Sequence, residues 1–348
     1  DTIGAPMWLW QRLWSALVML AAYEGMRRLA RAVDGVGPGP AVVAGLAFAL
    51  APRLVGVVGV LSAEALPGAI LPWTVLPLVH AWHGRWTWRR GILVSAATLP
   101  LMSGVNATEV LCTLPLPGLV ILCAPLPWRR RLKYGAAWNG LVLLVCAWWI
   151  GPLLVLGRYA PPFLDYIESA TATTGPLGWL TVLRGTTHWA TFLSPNESHW
   201  IAGHQLTFQP VLVAVATLLA VVGLIGLATL RSPMRRPFLL AALFGMVVMA
   251  LGHGGVGGSI LSDGMISFLD GPGAPFRNIH KFDPIVRAGL SLGLAGVVAW
   301  AAQRSKDVRL RLPGGRALPL ATAPAVVGLL LVGVLATPMM QGNLRADD

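Results

Sequence analysis

Apolar residues run along this chain in stretches of about 17 to 25, the length that crosses a hydrocarbon core, separated by short polar punctuation. The pattern predicts spans near residues 8 to 26, 40 to 61, 65 to 82, 91 to 104, 108 to 126, 134 to 157, 209 to 230, 238 to 252, 284 to 302 and 318 to 337. The fold class expected is therefore all-α, a polytopic membrane helical bundle of about ten transmembrane helices. Pro52, Pro67, Pro72 and Pro77 fall inside apolar stretches and read as helix breaks of the kind tolerated beside a cavity. No internal repeat is evident, which weakens an inverted-repeat transporter reading.

Composition agrees with the pattern. Of 348 residues, 55% are hydrophobic and 11% charged, with mean hydropathy +0.68, against roughly 25% charged in an average soluble chain. A net charge of +12 would raise the question of nucleic acid in a soluble protein. Here the cations instead cluster between alternate spans, as Arg27/Arg28/Arg31, Arg85/Arg89/Arg90, Arg129/Arg130/Arg131/Lys133, Arg231/Arg235/Arg236 and Arg304/Lys306/Arg309/Arg311/Arg316. All five fall on one side, which the positive-inside bias makes cytoplasmic. No nucleic-acid partner is implied; membrane lipids are. Glu64, Glu109, Asp165, Glu168, Glu197, Asp263, Asp270 and Asp283 take the other side. The first span would then start outside the cell without a signal peptide, so an upstream span is expected to precede residue 1.

Length is spent on that outer side. Residues 158–208 and 253–283 are the two long segments without a span, and both are expected to be functional extracytoplasmic loops. The first interleaves Trp179, Trp189, Phe192, Trp200 and Phe208 with turn residues, and Phe163 to Ala170 reads as an interfacial helix. Cys112, Cys123 and Cys146 lie in apolar stretches without a CxxC pair and read as packing residues.

Polar chemistry concentrates at a few places. Arg277, His280 and Lys281 lie within five residues just before a span. They suit a phosphate, with Arg277 as a fork, Lys281 as a point charge and His280 as a hydrogen-bond donor; lipid headgroups are the alternative. Asp283, followed by Pro284, reads as a helix cap. Arg158, Tyr159, Asp165, Tyr166 and Glu168 form a second cluster, in which Asp165 and Glu168 would share a helical face as general base or sugar contacts, or simply as surface charge. Arg184, His188 and Trp189 add cations and an aromatic platform, although Trp is also the ordinary interface anchor. Arg53 lies inside an apolar stretch and either pairs with Glu64 or Glu109 or snorkels to the interface. His199 and His204 lack zinc-ligand spacing. No metal site is assigned and no cofactor is certain; a divalent cation stays open. Gly252 to Gly257 matches G-x-G-x-x-G but follows no strand, so it is a close-packed loop and no dinucleotide fingerprint. Sequons at Asn106 and Asn196 matter only in a eukaryotic host.

The chain resembles the actinobacterial GT-C-type α-(1→3)-arabinofuranosyltransferases of the AftD kind along nearly its whole length. The likeness rests on Trp10-Gln11-Arg12-Leu13-Trp14, Ser103-Gly104-Val105-Asn106-Ala107, and Leu156-Gly157-Arg158-Tyr159 through Pro161-Pro162-Phe163-Leu164-Asp165-Tyr166-Ile167-Glu168. It continues through Leu183-Arg184-Gly185-Thr186-Thr187-His188-Trp189 and Phe276-Arg277-Asn278-Ile279-His280-Lys281-Phe282-Asp283-Pro284. The resemblance implies one GT-C-like transmembrane domain over 1–348 of an inverting glycosyltransferase. Such an enzyme would take arabinofuranose from decaprenyl-phosphoryl-arabinose and add it to an arabinan acceptor, in arabinogalactan or lipoarabinomannan, outside the plasma membrane. Carbohydrate-binding regions are expected downstream and the catalytic base upstream, with Asp165 and Glu168 as weaker candidates for it. On this view Arg277, His280 and Lys281 bind the donor phosphate, and Arg158, Tyr159, Asp165, Glu168, Arg184, His188 and Trp189 contact sugar or acceptor. A transporter or flippase of polyprenyl-linked sugars, or a noncatalytic glycan-binding scaffold, would share the broken helices and outer cations.

Overall fold

The computed structural model describes residues 4, 6–159, 168–193, 200–311 and 317–344. The chain is overwhelmingly helical. The bundle begins with α1 (Met7–Ala32), α2 (Pro38–Ala49), α3 (Pro52–Val58), α4 (Ser62–Trp82), α5 (Trp88–Ala97), α6 (Ala107–Thr113), α7 (Pro115–Leu122) and α8 (Trp128–Leu156). The long outer loop holds the short helices α9 (Ala170–Thr174), α10 (Trp179–Arg184) and α11 (Ile201–Phe208). The second half comprises α12 (Pro210–Thr229), α13 (Arg235–Ala250), α14 (Ser262–Asp270), α15 (Asp283–Arg304), α16 (Ala323–Val334) and α17 (Thr337–Met340). One departure from an all-α chain is a two-stranded antiparallel ribbon, β1 (Arg309–Arg311) with β2 (Ala317–Pro319), in a stretch partly assigned to the last expected span.

Among the described residues, four helices are long and apolar enough to cross a membrane by themselves: Ser62–Trp82, Trp128–Leu156, Pro210–Thr229 and Ile279–Arg304. The bent pair α2 and α3 makes a fifth. The ten expected spans are thus not all single helices. Residues 40 to 61 split at Pro52, which has no N–H to continue α2 and opens α3 at a 48° angle. The stretch 108 to 126 divides into α6 and α7 at Pro115. Conversely, Pro67, Pro72 and Pro77 do not break α4. Each removes one backbone donor, yet the helix runs through all three with those prolines buried.

Two helices form the axis of the packing. α4 is largely buried against α1 and α5, and α15 against α12, α13 and α2. α8 sits at the periphery and turns Leu143, Leu144, Trp148 and Leu154 outward, as a lipid-facing span must. One set of buried polar groups is satisfied locally: Trp138 Nε1 donates to Ser95 Oγ at 3.0 Å, and Ser95 Oγ donates to the Thr74 carbonyl at 2.7 Å. This network ties α8, α5 and α4 together where water is unavailable. Cys112 and Cys146 are buried thiols and Cys123 is half-buried, with no disulfide among them.

Candidate functional site

The broken second span has a consequence at the end of the bundle away from the basic clusters. Pro52 starts α3 so that Arg53 stands in its first turn, beside the first turn of α4 where Glu64 lies. Asn106 caps α6 by accepting the Glu109 N–H at 3.2 Å, which fixes Glu109 in the first turn of a third helix. Arg53 Nη2 donates to Glu64 Oε1 at 2.6 Å and lies 3.3 Å from Glu109 Oε2. Arg53 is 6% exposed and Glu109 1%, so pairing, and not snorkelling, is what holds this charge.

Two histidines converge on the same carboxylate. His280, in the 3-10 turn Ile279–Phe282, brings Nε2 to 3.3 Å from Glu64 Oε1, and His188, from the long outer loop, brings Nε2 to 3.5 Å. His188 stacks on Trp200 with ring centroids 4.0 Å apart. Glu64 is therefore the node where three helix starts and both outer loops meet.

Asp283 does not cap the next helix. The N-cap of α15 is Phe282, and Asp283 is the first helical residue, fully buried and 3.2 Å from Arg287 Nε one turn on. The Arg287 terminal nitrogens point elsewhere. They donate to the Leu183 and Val182 carbonyls at 2.7 Å each, holding the last turn of α10 against α15. Arg287 was not singled out from the sequence. Its signal was an arginine inside an apolar stretch, the same signal that marked Arg53.

The expected phosphate trio is divided by the fold. Arg277 is buried, ion-paired with Asp270 at 3.2 Å and donating to the Glu168 carbonyl at 2.7 Å, so it fastens one outer loop to the other instead of facing a ligand. His280 faces Glu64. Lys281 is half-buried, and among the described residues no carboxylate lies at ion-pair distance from it. Glu168 accepts from Asn278 Nδ2, and Asn278 Oδ1 accepts from Trp189 Nε1 at 2.9 Å, so Glu168 and Trp189 line the same seam. Burial raises the Glu168 carboxyl above its ordinary range. Arg158 and Tyr159 follow α8 in an exposed position, Tyr159 at 81%, and neither bonds to a described residue of the seam. Arg184 lines a separate small cavity with Pro52, Arg287 and Ser291. Asp165, most of the expected interfacial helix, His199 and the Asn196 sequon lie outside the described residues.

Glu64, His188 and His280 offer ligand atoms within 4.8 Å of one another, so a cation has to be tested against them. The donor set fits poorly. His188 Nδ1 accepts the Ala190 N–H at 3.3 Å, which puts the ring proton on Nε2 and removes the lone pair a metal needs. Arg53 already supplies positive charge to Glu64 at 2.6 Å. The cavity beside the node, lined by Arg53, Glu64, Glu109 and Arg287, measures about 20 Å³, and its neighbour lined by Thr186, Thr187 and His188 about 10 Å³. Each has room for about one water. A sugar ring has to stand outside the node. Within α4 the residues that follow Glu64 toward the basic loop, Ala69 to Leu71, Val75 and Pro77 to Val79, are buried and apolar, so this helix offers no charged path from the node.

Burial drives the His188 imidazole well below its ordinary pKa, with Glu64 opposing. The unfolded chain binds this proton near pH 6.5 and the folded chain only at lower pH. The contribution of His188 to stability is thus complete above about pH 6.5 and is lost as pH falls below it. Melting curves from pH 7.5 downward are expected to fall more steeply for the native protein than for His188→Asn; parallel curves would rule the effect out.

A profile for the N-terminal GT-C domain of α-(1→3)-arabinofuranosyltransferases matches residues 1–348. The α-(1→3)-arabinofuranosyltransferase of Mycolicibacterium smegmatis is 36% identical over 315 residues, 90% of this chain and 21% of that protein. That of Mycobacterium tuberculosis is 36% identical over 321 residues, 91% of this chain and 22% of its own length. The cryo-EM structure of arabinofuranosyltransferase AftD from mycobacteria superposes over 99% of this chain and 21% of that one, at 30% identity and a TM-score of 0.69. The chain thus spans about a fifth of the relatives it matches. With the profile covering every residue and the bundle reproduced in a solved relative, this chain belongs to the α-(1→3)-arabinofuranosyltransferase family, in the region of its N-terminal GT-C domain.

Proposed function

We propose that this chain forms the membrane core of an inverting arabinofuranosyltransferase at the extracytoplasmic face of the plasma membrane, with decaprenyl-phosphoryl-arabinose as donor and an arabinan as acceptor. The observation that carries the reading is the position of Lys281. It is half-buried between His280, which is held by Glu64, and Asp283, which is held by Arg287, and has no carboxylate at ion-pair distance among the described residues. In the transfer, the bond between the anomeric carbon and the phosphate oxygen breaks and the leaving phosphate gains negative charge. The acceptor oxygen bonds the carbon from the opposite side and gives up its proton to a base. A cation held rigidly beside the leaving oxygen is worth most at that moment, because its orientation is fixed before reaction.

Glu64 and Asp283 are ill suited to be that base, since Arg53, two histidines and Arg287 already engage them. Their role in this reading is to fix the loops around Lys281. In nanodiscs, full-length protein given labelled decaprenyl-phosphoryl-arabinose and a synthetic arabinan acceptor is expected to yield a longer arabinan. Lys281→Ala is expected to lower kcat/KM about 100-fold or more, and Lys281→Arg to retain part of the rate. No product from the unaltered protein with intact donor would refute the enzyme reading; an unchanged Lys281→Ala would refute the role of the lysine alone.

A further inference from the structure

A large cavity on the opposite side of the bundle belongs to no part of the site above. It measures about 750 Å³ and is walled by Arg27, Arg28 and Arg31 of α1, Trp73 and His80 of α4, and Arg85 and Trp86 of the following turn, with Leu76, Pro77 and Val94 completing it. Ligand clefts are commonly about 300 to 1,000 Å³. Its cations are only partly neutralised. Arg27 and Arg28 share one carboxylate, Glu24, at 2.7 and 2.6 Å. Arg31 spends one nitrogen on the Val36 carbonyl at 2.8 Å, and among the described residues neither Arg31 nor Arg85 has a carboxylate at ion-pair distance. Four arginines against one glutamate leave an excess of three positive charges facing one cleft.

The shape of the cleft selects the ligand further. From His80 near the basic end of α4 to Trp73 is two turns, on the order of 10 Å along the helix. Over that depth one wall is guanidinium and the other is Leu76, Pro77, Val94 and tryptophan. Arg28 lies over the Trp73 ring at 5.2 Å, and Trp73 is itself anchored by donating to the Ala21 carbonyl at 2.9 Å. A free anion would use only the first wall. An amphiphile with an anionic phosphate head and hydrocarbon tails would use both, and the cleft lies against α4, a helix long and apolar enough to cross a membrane where such molecules are the solvent. We propose that this cleft between α1, α4 and α5 is a binding site for an anionic phospholipid of the basic-loop leaflet, its phosphate among Arg27, Arg28, Arg31 and Arg85.

The test is native mass spectrometry of the full-length protein released from nanodiscs containing equal phosphatidylglycerol and phosphatidylcholine. Retention of phosphatidylglycerol over phosphatidylcholine is expected, falling about fivefold for each arginine removed in Arg31→Gln and Arg85→Gln, both exposed and both leaving the Glu24 pairs intact. Arg235→Gln/Arg236→Gln, in another basic loop away from the cleft, is the control and should retain as the native protein does. Equal retention of the two lipids, an equal loss in the control, or full displacement by excess inorganic phosphate would each overturn the proposal, the last by showing that the site reads phosphate and ignores the tails.

Discussion

Arg53→Met is expected to destabilise the folded protein by about 3 to 5 kcal/mol, because it leaves Glu64 and Glu109 buried without the guanidinium between them. The substitution keeps the apolar stem and removes only the charge, so packing of α3 changes little. The cost then falls on two carboxylates that must either stay ionised in an apolar surround or take up protons. Both outcomes weaken the node to which His188 and His280 are tied, so both outer loops should loosen with it. Thermal melting of the purified protein in nanodiscs reads the first effect, and hydrogen exchange at residues 186–192 and 277–282 reads the second. Arg53→Met/Glu64→Gln is expected to recover part of the loss, since it removes one of the stranded charges. A melting temperature for Arg53→Met equal to that of the native protein would show that the node contributes nothing to the fold.

Gly293→Ala is expected to cost about 3 kcal/mol, at the upper end of overpacking penalties. Here α12 and α15 cross backbone to backbone. A Cβ at Gly293 would run into the Gly223 carbonyl oxygen and stand 2.5 Å from the Leu227 backbone nitrogen, and one at Gly226 would run into the Gly293 carbonyl. No flexible side chain is available to yield, so the two helices must separate. The separation would be felt along α15, which carries Asp283 and Arg287 at its outer end. Gly140→Ala, where an added methyl meets nothing within 4 Å, is the matched control and should leave the melt unchanged or slightly raised. Equal melting of the Gly293→Ala and Gly140→Ala proteins would refute the close crossing.

These two cases differ in how legible they were. For Arg53 the sequence leaves two readings open, pairing with Glu64 or Glu109 and snorkelling, and the structure selects pairing, because an intramembrane charge on a broken helix has few ways to be satisfied. Gly289 and Gly293 in α15 form a small-xxx-small spacing that the apolar pattern masked, although such spacing permits close helix approach. The hydropathy pattern located α4, α8, α12 and α15 well. It overstated the number of single-helix spans, since a window of apolar residues does not record where proline forces a bend. It also misjudged Pro67, Pro72 and Pro77, which α4 absorbs because packing on α1 and α5 outweighs three missing backbone donors.

By itself, the sequence determined the membrane character, the family, and the clustering of the basic residues between apolar stretches. Those follow from transfer free energies and from short motifs, which are properties of neighbours in the chain. Which of the residues would face one another was decided only in three dimensions. Arg277, His280 and Lys281 look equivalent over five positions, yet Arg277 pairs with Asp270, His280 faces Glu64 from a 3-10 turn, and Lys281 in the same turn has no carboxylate at ion-pair distance among the described residues. Glu64 gathers partners from positions 53, 188 and 280, and no local pattern encodes contacts at such separations. The burial of those charges, and hence their need of one another, exists only once the helices have packed.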